Sequence, residues 1–132
     1  MVAGRPVDQI VEKFHTAYRE TDLSIGDMLR DLNIDFTDYR SSERQSIDAD
    51  GVYLCGVPSL NIQGGMHQVV IEMVNDGEWT VLDPNMGRGD RLYYAAGPTD
   101  DPLSVQMAGG YNIDAFITHE TLSAWHTFWV GV

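Results

Sequence analysis

The stretch that most narrows the fold is "MHQVVIEMVNDGEWTVLDP", residues 66–84. It is rich in Val, Ile and Trp, the β-branched and aromatic residues that strands favour. Two such runs, 66–74 and 78–83, flank Asn-Asp-Gly, residue types that tolerate positive φ and favour a tight hairpin. A third run, "VYLCGVP" at 52–58, has the same β-branched and aromatic character. Three strands joined in sequence order are therefore predicted.

Alternation also assigns faces. His67, Val69, Ile71 and Met73 share one side of their strand, and Gln68, Val70 and Glu72 share the other. In the next strand Trp79, Val81 and Asp83 share a face, and Asp83 ends the strand at Pro84. A hairpin turn at 75–77 sets Asp83 roughly opposite Val69, within about two residues of His67. A carboxylate there can hold one imidazole tautomer through a ring N–H bond, the task of the orienting group beside a general base. The plainer account is a histidine satisfied within the sheet and an Asp-Pro pair that ends a strand.

Ahead of the strands the periodicity is helical. Val7, Ile10, Val11, Phe14, Ala17 and Tyr18 make one apolar stripe over 6–19, with Pro6 at a first helical position where its missing N–H is harmless. A second helix is expected from Ser24, an N-cap, to the Asn33 region, with Ile25, Met28, Leu29 and Leu32 on its core side. "IDFTDY" reads as a short strand and 40–51 as a polar loop. Beyond residue 90, "RLYYAA" suggests one more strand, "PTDDP" a turn, and "ITHETLSAWHTFW" a short helix with Thr118 at its start. The predicted fold class is α+β: one domain over 1–132, with N-terminal helices packed on a mostly antiparallel sheet. This order excludes a Rossmann-type nucleotide fold, and no Gly-rich phosphate loop is present.

Charge narrows the partners. Eight Lys and Arg stand against twenty Asp and Glu, a net charge of −12. Direct nucleic-acid binding is excluded on that balance, and a basic-surfaced protein or a peptide remains as partner. Cys55 is the single cysteine, so no internal disulfide forms and a reducing, cytoplasmic setting is expected. No apolar run approaches a membrane span, and the N-terminal residues lack the pattern of a secretory signal. His15, His119 and His126 show no metal-ligand spacing, so no metal and no cofactor is predicted. Trp125, Phe128 and Trp129 read as packing residues, with a partner-binding patch as the alternative.

The combination "VPSLN…GGMHQVVIE…EWTVLDPNMGR" resembles the C-terminal half of papain-like cysteine peptidases. It is most similar to small phage and bacterial relatives of the bacteriocin-processing, double-glycine-leader peptidases. The resemblance covers about residues 52 to 90 and is weaker over the two helices. It implies His67 as base and Asp83 as orienter, within a truncated papain-like fold. That family's nucleophilic Cys opens an N-terminal helix, usually behind a Gln. Here "MVAGRPV" resembles only the exit of such a helix, and no Cys precedes Cys55.

Cys55 is the one candidate thiol within the sequence. The strand pairing sets it roughly across from Gln68 or Val69, close to His67, although a strand thiol lacks the helix N-terminus that favours a thiolate. Gly64 and Gly65 just before His67 leave room for a substrate backbone, or simply shape the turn. Two functions follow. One is a cysteine-peptidase-like binding protein without the usual nucleophile, an accessory of a phage or mobile element. The other is an active thiol peptidase or amide hydrolase that uses His67 and Asp83 with Cys55 or a Cys on an upstream segment.

Overall fold

The structure is a computed structural model and describes residues 25–39, 47–75, 77–107 and 111–126. The helix expected over 6–19 lies outside the described residues. In chain order the elements are α1 (Ile25–Asp31), β1 (Thr37–Asp38), β2 (Gly51–Pro58), β3 (Met66–Val74), β4 (Glu78–Leu82), β5 (Tyr93–Ala95), β6 (Ser104–Gln106), β7 (Asn112–Ile117) and α2 (His119–His126). β1 to β4 and β7 form an antiparallel five-stranded sheet in the order β1-β7-β2-β3-β4. β5 and β6 pair in parallel as a separate two-stranded sheet.

This corrects the expected arrangement of N-terminal helices packed on a sheet, and with it the truncated papain-like layout. The described chain is dominated by strands, and its two helices, of seven and eight residues, stand before and after them in sequence. The first helix ends in the Asn33 region, as expected, where Asn33 enters the left-handed region at φ 59°. Its N–H donates to Arg30 O at 3.0 Å, and the Ile34 N–H donates to Leu29 O at 2.9 Å. These two bonds, with Ile34 and Leu29 buried in one cluster, make a Schellman C-cap. What departs from the expected arrangement locally is β7. Ile113, Ala115 and Ile117 alternate inward along "NIDAFI", and this strand enters the middle of the sheet between β1 and β2.

The three strands read from the sequence lie side by side. β2 pairs with β3 so that Cys55 faces Val69 and Val57 faces His67, and β3 pairs with β4 so that Val70 faces Leu82. Both faces of the sheet are covered. On one, Val52, Leu54, Val70, Ala115 and Ile117 pack with Leu29 of α1 and with Leu122 and Trp125 of α2. On the other, Tyr53, Cys55, Val57, Val69 and Ile71 pack with Tyr94 of β5 and with Met107, which follows β6. Each such aliphatic side chain removed from water contributes about 1.5–3 kcal/mol.

Short-range bonds fasten the layers. The Trp125 Nε1–H donates to Leu32 O at 2.8 Å and ties α2 to the end of α1. Thr118 caps α2, its Oγ1 accepting the Thr121 N–H at 3.1 Å. Between Leu54 and Cys55 the register with β7 shifts, and Asp114 is the extra residue of the bulge. No helix among the described residues is long and apolar enough to cross a membrane.

Candidate functional site

The strand ends at one edge of this frame bring His67 and Asp83 together. His67 is the second residue of β3, and Asp83 follows the last residue of β4. His67 Nε2 lies 2.6 Å from Asp83 Oδ1. The same oxygen accepts the Asn85 N–H at 2.9 Å, and Oδ2 accepts the Tyr94 N–H at 2.8 Å. The sequence Asp-Pro-Asn explains the first backbone bond. Pro84 fixes φ in the second position of a turn closed by the Met86 N–H on Asp83 O at 3.1 Å, and the carboxylate then meets the N–H two residues on.

Burial divides the pair. The Asp83 side chain is 1% exposed, whereas that of His67 is 17% exposed. The carboxylate is thus a fixed acceptor satisfied by three N–H groups, and the imidazole is the member that meets solvent. With Nε2–H donating to Asp83, the neutral ring carries its lone pair on Nδ1. No described residue is bonded to Nδ1. Such a ring can accept a proton or a hydrogen bond from a ligand.

Two loops frame the histidine. In the 59–65 loop, Ser59 Oγ accepts the Ile62 N–H at 3.0 Å, and the Ser59 N–H donates to Gly65 O at 2.9 Å. Gly64 has φ 76°, and open space lies where a Cβ would stand. In the 84–92 loop, consecutive turns carry the chain from Asp83 to Leu92. The Asn61 side chain joins the two loops: its Nδ2–H donates to Leu92 O, and its Oδ1 accepts the Leu92 N–H, each at 2.9 Å. The Tyr94 hydroxyl donates to Pro58 O and closes the base of the frame. Ile62 and Met86, one on each loop, are 64% and 62% exposed.

Cys55 lies on the same face of the sheet, in a diagonal position relative to His67, a Cα separation of about 7–8 Å. It is fully buried. Burial, and after it the charge of Asp114, pushes the Cys55 thiol from its ordinary 9.0 up to about 12. It packs as a small apolar side chain among Tyr53, Val57 and Ile113.

The other histidines take different places. His119 Nε2 lies 2.9 Å from Glu72 Oε2, on the opposite face of the sheet from His67. The sequence carries no local sign of that pair, because the partners stand 47 residues apart. Trp125 is buried against α1, while His15, Phe128 and Trp129 lie outside the described residues. Among the described residues no group of three or more His, Cys, Asp or Glu side chains has the geometry to hold a metal ion. A shallow cavity of about 400 Å³ sits at the α1–β1 connection, lined by Arg30, Asn33, Ile34, Asp35 and Phe36, and shares no residue with the His67 edge. The hydrogen bonds and not this depression mark the candidate site, because the depression holds no bonded base.

Asn61, Asn85 and Tyr94 were not evident from the sequence. Asn85 carries a weak signal in the Asp-Pro-Asn turn. The bonds of Asn61 and Tyr94 depend on loop contacts that no local pattern encodes. No family model matches the chain, and no curated protein or solved structure matches it either.

Proposed function

We propose that the protein is a cysteine-peptidase-like peptide-binding module in which His67 and Asp83 organise the binding edge and Cys55 performs no chemistry. The observation that carries this reading is the state of Cys55. A thiol raised to about 12 is ionised at pH 7 to about one part in a hundred thousand, and the thiolate is the nucleophile. Its full burial also denies a peptide carbonyl any approach. The peptide as ligand comes from the resemblance of 52–90 to the peptidases. It is supported by the exposed side chains of Ile62 and Met86, on the loops that precede β3 and follow Asp83, and by the open space at Gly64. An accessory role in a phage or mobile element, within a reducing cytoplasm, rests on the resemblance and on the single thiol.

One observation favours a second reading, an active amide hydrolase with its nucleophile elsewhere than Cys55. The 2.6 Å bond to a buried carboxylate orients the His67 ring as an orienting group does for a general base, and no described residue is bonded to its Nδ1. Thiol labelling tests the first reading. Iodoacetamide at neutral pH is expected to modify native Cys55 at least about a hundredfold more slowly than a small free thiol. Rapid labelling that slows in His67→Ala would overturn it and make Cys55 the nucleophile of an enzyme.

A further inference from the structure

The charge distribution along the chain singles out one loop. Beyond Arg44 the sequence holds two cationic residues, Arg88 and Arg91, in a chain whose net charge is −12. Both are exposed and belong to the loop that runs from Asp83 to Leu92. Neither guanidinium is paired with a carboxylate among the described residues, although Asp90 stands between them in sequence.

Their backbone is fixed relative to His67. The Arg88 N–H donates to Asn85 O at 3.1 Å, and the Arg91 N–H donates to Arg88 O at 3.2 Å. Asn85 is itself bonded to the carboxylate that holds His67. A turn keeps its ends under about 7 Å, so the Arg88 backbone lies within roughly 12 Å of His67 Nε2, a distance that an extended Arg side chain and a short peptide can bridge. Beyond Arg91, the Asn61 clamp on Leu92 stops the loop from swinging away. Met86 and Ile62 add exposed apolar surface on the same two loops. A planar guanidinium binds a carboxylate through two parallel N–H bonds, and such a pair gains most beside apolar surface that excludes water.

We propose that Arg88 and Arg91 form an anion subsite, and that the peptide taken up at the His67 edge carries a side-chain or terminal carboxylate next to an apolar residue. This rests on the peptide-binding reading above and names its ligand class. It inverts what the overall charge suggests: the net charge of −12 repels acidic partners, and among the described residues this loop offers them two unpaired cations.

The test uses the full chain, ¹⁵N-labelled, with capped peptides of Leu, Glu, Gly and Ser and counterparts bearing Gln or Lys in place of Glu. The Glu peptide is expected to shift the amide resonances of residues 86–92. Its binding is expected to weaken at least about tenfold in Arg88→Gln/Arg91→Gln, and again on raising salt from about 0.05 M to about 0.5 M. If the Gln peptide binds as tightly as the Glu peptide, the anion subsite is refuted while the peptide-binding reading stands. If no peptide shifts the His67 edge, both fall. Inorganic phosphate producing the same shifts where the Glu peptide produces none refutes the peptide carboxylate as ligand.

Discussion

His67 and Asp83 are joined at 2.6 Å by a bond whose two ends differ in kind: the carboxylate is sealed by the backbone and the imidazole stands at the surface. Asp83 therefore holds together more than its histidine. It fastens the turn at Asn85 and the start of β5 at Tyr94 to the end of β4. A role in stability accompanies any role in chemistry, and the two separate by substitution.

Asp83→Asn keeps the shape but replaces one acceptor oxygen with an N–H₂ group. At least one of the three N–H donors then faces another donor in a buried setting. The expected loss is about 2–3 kcal/mol, read as a lower urea midpoint with an unchanged slope. His67→Ala, which removes a half-buried ring and leaves both backbone bonds in place, is expected to lose about 1 kcal/mol or less. Equal losses in the two variants would show that the backbone bonds to Asp83 carry little.

Asn61→Ala removes both bonds to Leu92. The contact is exposed, so global stability is expected to fall by under about 1 kcal/mol. The local effect is larger. Hydrogen exchange at the Leu92 amide is expected to speed up at least about tenfold, while the buried Tyr94 amide on Asp83 keeps its protection. Uniform acceleration at both amides would mean that the loop and β5 open as one unit.

The strands of the hairpin were legible because the β-branched and aromatic richness of 66–74 and 78–83 is a local property, and so is the Asn-Asp-Gly turn between them. The register then followed, and with it the meeting of His67 and Asp83. β7 was missed for the opposite reason. "NIDAFI" alternates, but Asn112 and Asp114 are residue types depleted in strands, and its partners in β2 lie about sixty residues back in sequence. The end of the first described helix was legible too, because Asn33 is a residue type that enters the left-handed cap readily. Cys55 was placed correctly across from Val69, yet no pattern in "VYLCGVP" tells that both of its faces are covered.

The Cys55 thiol makes stability depend on alkaline pH. Its value is raised from 9.0 in an open chain to about 12 in the fold. Below about pH 9 both states keep the proton, and the contribution is fully present. As pH rises from about 9 toward about 12 the unfolded thiol ionises first, and stability is lost. The slope from this one group is at most about 1.4 kcal/mol per pH unit. Urea unfolding at pH 8 and pH 10.5 is expected to show a larger alkaline loss in the wild type than in Cys55→Ala. The difference between the two chains removes the contribution of other titrating groups. Identical losses would show that the thiol already ionises in the fold, and Cys55 would return as a candidate nucleophile.

Gly51 opens β2 where the ring of Phe116 crosses it. A Cβ built there would stand 2.3 Å from Phe116 Cε1 and 3.0 Å from Ile117 O. Phe116 has little room to retreat, because its ring tilts against Tyr53 with centroids 4.7 Å apart and faces Tyr39 at 6.5 Å. Behind Tyr53 the hydroxyl is fixed by donating to Ala49 O at 2.7 Å. Gly51→Ala is therefore expected to cost about 1–3 kcal/mol through overpacking, with added strain from its φ of 150°. Phe116→Leu alone is expected to cost about 1 kcal/mol by losing ring contacts. Combined, the shorter side chain makes room for the new methyl group, so the double variant is expected to be more stable than the sum of single losses by at least about 0.5 kcal/mol. Strict additivity in denaturant unfolding would show that the backbone conformation at Gly51, and not the Phe116 ring, requires glycine.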